Sequence, residues 1–64
     1  MRIELNGRAE EFDGDLTALV QARVGSVRGT AVVVDSVIVP RSQWDGFALR
    51  DGQVVELITA VQGG

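Results

Sequence analysis

Apolar and polar residues alternate from the start of the chain: in Arg2-Ile3-Glu4-Leu5 every second side chain is apolar, the period of a strand with one buried face. Asn6-Gly7 follows, a pair that favours a two-residue type I′ turn, and Arg8-Ala9-Glu10-Glu11-Phe12 has the length to return antiparallel. Residues 2–12 therefore predict a β-hairpin. Asp13-Gly14-Asp15 breaks this alternation, and the period changes. Leu16, Leu19, Val20 and Val24 fall at i, i+3, i+4 and i+8, one face of a helix, with Asp15 placed to cap its start and Gly25 to stop it.

Gly25 to Gly29 predicts a loop, after which Thr30-Ala31-Val32-Val33-Val34 is a β-branched run suited to a strand covered on at least part of both faces. Asp35-Ser36 interrupts it. Val37-Ile38-Val39 resumes an extended segment that ends near Pro40, which lacks the N–H a ladder needs. Arg41 to Leu49 predicts a turn or short helix anchored by Trp44 and Phe47. Asp51-Gly52 is a tight turn and Gln53 to Thr59 the last strand. This order predicts an α+β fold: a mixed sheet of four to five strands with one main helix packed on one face, and the last strand beside the first. Residues 1–59 are expected to form the domain and 60–64 a flexible C-terminal tail.

Composition narrows the chemistry. At 64 residues there is room for one core only. The chain has no Cys and no His, so the commonest general base, the commonest metal ligand and the strongest nucleophile are all missing. No catalytic residue and no metal site is expected, and the protein is not expected to be an enzyme. Ser26, Ser36 and Ser42 have no histidine to take a proton and are expected in turns. Glu10, Glu11, Asp13 and Asp15 gather four carboxylates without the spacing of a calcium loop, which predicts a solvated acidic rim.

The net charge is −3, carried against six Arg and no Lys, which gives no basic stripe for phosphates and favours a basic partner over nucleic acid. No apolar run approaches the roughly 18 residues of a membrane span, so a soluble, cytoplasmic protein is expected. Pro40 and Arg41 are expected to be exposed near the sheet edge, and Trp44 and Phe47 to belong to the core. The sheet face without a helix is expected to leave Val37, Val39 or Leu57 uncovered as a partner patch.

One feature serves no purpose in the fold: after Ile58-Thr59-Ala60-Val61-Gln62 the sequence reaches Gly63-Gly64, and glycine packs no side chain. Paired glycines at two given positions arise by chance in roughly one chain in two hundred, at a usage of about 7%. A tail that enters a foreign active site needs no hindrance beside its carbonyl carbon and φ angles closed to other residues; two glycines meet both needs. Ala60, Val61 and Gln62 then form an extended lead, threaded through a channel or paired with the partner's backbone.

The element order, the stretch Ile38-Val39-Pro40-Arg41-Ser42-Gln43-Trp44, the turn Asp51-Gly52 before Val54-Val55-Glu56, and the ending Gly63-Gly64 together resemble the ThiS-type sulfur carriers of thiamine biosynthesis. The resemblance spans essentially the whole chain and implies a ubiquitin-like β-grasp fold. It further implies that Gly64 is adenylated at its carboxylate by a ThiF-like activating enzyme that consumes ATP, the carrier itself binding no cofactor. Sulfur from a donor such as a cysteine desulfurase then makes a thiocarboxylate, which passes sulfur to a ThiG-like thiazole synthase. Val61, Gln62 and Gly63 enter the partner's active site with it. Two other readings share these features: a molybdopterin-type sulfur carrier, and a β-grasp interaction module that is never covalently activated.

Overall fold

The computed structural model describes residues 1–25 and 28–59. Strand β1 (Arg2–Leu5) and strand β2 (Arg8–Glu11) form the predicted hairpin, with Leu5 opposite Arg8. Asn6 and Gly7 take positive φ, 50° and 83°, as a two-residue I′ turn demands. Helix α1 (Leu16–Arg23) starts at Asp15, whose Oδ1 accepts from the Ala18 N–H at 2.9 Å. Gly25, at φ 87°, ends it in the left-handed conformation. The apolar spacing overshoots by one residue: Val24 is the C-cap and half-exposed, so the buried face is Leu16, Leu19 and Val20 alone.

Strands β3 (Thr30–Val34), β4 (Val37–Val39) and β5 (Val54–Thr59) complete a five-stranded sheet in the order β2-β1-β5-β3-β4. β1 and β5 are parallel and every other pair antiparallel, which makes the sheet mixed. Asp35-Ser36 is more than an interruption. Both residues have positive φ, 48° and 68°, and they close a second two-residue hairpin with Val34 opposite Val37. After Pro40 a single 3-10 turn (Arg41–Gln43) delivers Trp44 to the core. With one helix on one face of such a sheet, the architecture is the β-grasp that the sequence predicts.

The core fills the helix side of the sheet. Ile3 and Leu5 of β1, Val32 and Val34 of β3, and Val55 of β5 meet Leu16, Leu19 and Val20, with Trp44 and Leu49 closing one end. Trp44 is 2% exposed, and its indole N–H donates to the Val39 carbonyl at 2.9 Å. Phe47 is half-buried against the same cluster. Two expected surface residues belong here instead: Val39 and Leu57 are buried, at 6% and 9% exposure. Leu57 shares the phase of Val55, and Val39 pairs with Val32, so both point inward. No helix among the described residues is long and apolar enough to cross a membrane.

Candidate functional site

The candidate site lies where β5 hands the chain to the tail. Gly64, Gly63, Gln62 and Val61, like Ser26 of the first loop, lie outside the described residues. What the structure places is their mount. β5 sits third of five strands, flanked by β1 and β3, and buries Val55 and Leu57 beneath it. Its ladder with β3 is complete from Val34↔Val55 to Thr30↔Thr59. The strand that precedes the tail is thus supported by β3 along its length, by β1 over its first residues, and by the core below.

Three turn residues add to that support. Asn6 and Asp51 sit in turns whose sequence signals explain only the local bend; in the structure each also stitches distant strands together. Asn6 Oδ1 accepts from the Leu57 N–H at 2.9 Å, where β1 has turned away from β5. Asp51 Oδ1 accepts from the Arg2 N–H at 2.7 Å. Asp35, at the tip of the β3–β4 hairpin, accepts the Val54 N–H on Oδ1 at 2.9 Å and the Gln53 amide on Oδ2 at 3.0 Å. These bonds cross the chain over as many as 51 residues, and nothing in local spacing announces them.

The same donors hold carboxylates ionised. The Val54 N–H, and after it the Gln53 amide, keep Asp35 below its ordinary value of 3.8. The Gly46 N–H, and after it the Ala18 N–H at the helix start, do so for Asp15. A carboxylate with a depressed folded-state pKa stabilises the fold above its unfolded value and loses that contribution as pH falls through the folded value. The melting temperature is therefore expected to be level from neutral pH down to about pH 5 and to fall below pH 3.8. Asp35→Asn is expected to flatten part of that acid limb, as read by circular-dichroism melts across pH. An acid limb as steep in the variant as in the parent would contradict the assignment.

The four clustered carboxylates separate into distinct roles. Glu10 pairs with Arg23 at 3.2 Å, Glu11 with Arg2 at 3.5 Å, and Asp13 with the Met1 ammonium at 2.9 Å. Asp15 leaves the rim altogether to cap α1 and hold Gly46. Among the described residues no group of three or more such side chains is placed to hold a metal ion. Pro40 and Arg41 are exposed, as expected.

On the face opposite α1, β5 presents Val54, Glu56 and Ile58, with Val33 of β3 opposite Glu56 and Ile38 of β4 opposite Val33. Ile38 and Ile58 are 72% and 52% exposed, and Val37 at the hairpin tip is 63% exposed. An apolar patch does exist on the helix-free side, then, but Ile38, Val54 and Ile58 build it in place of Val39 and Leu57. A groove of about 640 Å³ runs along its β1 side, lined by Glu4, Asn6, Val54, Glu56, Ile58 and Thr59 among others. The arrangement sets a strand held within the sheet ahead of residues 60–64 and, beside it, an exposed apolar surface.

Comparison with known proteins agrees with this geometry. The model of the ThiS family matches residues 3–64. Among solved structures, the chain is similar to the thiamine biosynthesis protein ThiS from Geobacter metallireducens, with 25% identity, 100% of each chain covered and a TM-score of 0.81. No curated protein matches.

Proposed function

The chain belongs to the ThiS family, and on that footing we propose that it is a sulfur carrier of thiamine biosynthesis whose Gly64 carboxylate is the group that is charged. The observation that carries this reading is the reach of the family match: it runs through the whole domain and the tail to Gly64. The likeness to a thiamine biosynthesis protein over its full length supports the same pathway.

A carboxylate is a poor electrophile, so charging it takes two stages on a partner. The Gly64 oxygen attacks the α-phosphorus of ATP on a ThiF-like adenylating enzyme and pyrophosphate leaves. The outer sulfur of a donor persulfide, such as a cysteine desulfurase carries, then displaces AMP to give an acyl disulfide. A thiol attacks the donor's sulfur, which leaves in a new disulfide, and the S–S bond breaks to free the thiocarboxylate. The resulting thiocarboxylate is the better nucleophile, and a ThiG-like thiazole synthase takes its sulfur. The carrier contributes no turnover. Its domain supplies recognition, its β5 mount fixes where the tail begins, and Val61, Gln62 and Gly63 give slender passage into the partner's site.

Charged protein offered separately to thiazole synthase and to the large subunit of molybdopterin synthase tests the pathway. Thiazole is expected in the first reaction, with at least tenfold less product in the second. Preference for molybdopterin synthase would move the chain to that pathway, and a chain that the adenylating enzyme never charges would favour a module that only binds.

A further inference from the structure

Two unpaired carboxylates and a free strand edge meet in the groove beside β5. Glu4 and Glu56 are exposed on the open face, and neither carboxylate is in an ion pair or hydrogen bond among the described residues. Glu4 pairs with Val54 across the ladder and Glu56 lies two residues further on, so strand spacing sets them about 8 Å apart on the diagonal. Val54 and Ile58 flank Glu56 along the same strand face.

The edge follows from register. Glu56 and Ile58 turn their backbone groups toward β3, opposite Val33 and Ala31, so Leu57 and Thr59 turn theirs toward β1. The β1 ladder stops at Leu5↔Val55, and the Asn6 side chain takes the Leu57 N–H. Beyond it, the Leu57 carbonyl and Thr59 N–H have no ladder partner on that side among the described residues. The groove of about 640 Å³ takes in this place, lined here by Asn6, Gly7, Leu57 and Thr59.

We propose that this groove receives an extended, arginine-bearing segment of the adenylating enzyme, laid along the β5 edge in the place β1 vacates. The inference rests on the carrier reading and names how the partner grips the domain before the tail reacts. A strand in that position completes the exposed ladder. An arginine stem lies beside Ile58 while its planar, five-donor guanidinium spans the two carboxylates, a geometry lysine cannot match. The chain's net charge of −3 favours a basic segment, and Glu4 and Glu56 put two carboxylates on this face.

The test is steady-state ATP–pyrophosphate exchange by the adenylating enzyme of the same cell, with the full chain as substrate and Glu4→Gln/Glu56→Gln and Glu56→Lys as variants. Both are expected to melt like the parent, because both side chains are exposed and unpaired. Glu56→Lys is expected to raise KM about tenfold with kcat within twofold, and the double variant to lose most of the rise of KM with salt. Unchanged KM and salt dependence, with the parent still adenylated, would overturn the groove assignment and leave the carrier reading standing. A parent chain that supports no exchange would overturn the reading itself. A concentration-dependent dimer dissolved by Glu56→Lys would assign the groove to a second copy and overturn the proposal.

Discussion

Deletion of Gly64 is expected to abolish ATP-dependent charging while leaving the melting temperature within about 1 °C of the parent, since a glycine has no side chain to pack and the last residues of a domain usually contribute little to stability. Removing one residue withdraws the carboxylate by about 3.5 Å along the tail. Misplacing a reacting group by about 1 Å already costs on the order of 10² in rate, so the truncated chain should fall at least a hundredfold below the parent in pyrophosphate exchange. Replacing Gly64 by a bulkier residue should act the same way through crowding at the carbonyl carbon. Both effects separate chemistry from folding. A truncated chain that is charged at the parent's rate would show that Gly64 is not the reactive residue.

The second large effect is on the fold. Trp44→Ala is expected to leave the protein mostly unfolded at 25 °C. Trp44 is 2% exposed and ties the 3-10 turn to β4 through its bond to the Val39 carbonyl. Truncating a buried tryptophan costs about 3–5 kcal/mol, and a domain this small commands roughly the same in total. Trp44→Phe keeps most of the packing but loses the indole bond to the Val39 carbonyl, which still pairs with Val32 in the ladder, at about 0.5–1.5 kcal/mol. That variant should fold and melt lower by about 4–8 °C for each kcal/mol lost. A Trp44→Ala chain that melts within a few degrees of the parent would mean that the turn after Pro40 is not part of the core.

Much of this architecture is legible in the residue pattern, and the failures are specific. Asn6-Gly7 announces the first hairpin because few residues accept positive φ twice in succession. Asp35-Ser36 makes the same turn without glycine, so it registers only as a break between two apolar runs. Phase is the other difficulty. Val37-Ile38-Val39 is apolar throughout, and the inward residue is decided only by the register with β3. In β5 the signal is present: Glu56 marks the open face, which sends Val55 and Leu57 to the core. The long bonds of Asn6, Asp35 and Asp51 have no local signature, because their partners are set by topology. The tail is the reverse case. It lies outside the described residues, so the reading of its glycines rests on sequence alone.

Intact-mass spectrometry of the protein taken from its own cells, with the sulfur located by fragmentation, tests the central claim most directly. The account predicts a population heavier by about 16 Da, the difference between sulfur and oxygen, with the whole increment on Gly64. A chain that stays at its unmodified mass while the cell makes thiamine, or an increment placed anywhere but the C-terminal carboxyl, would contradict it.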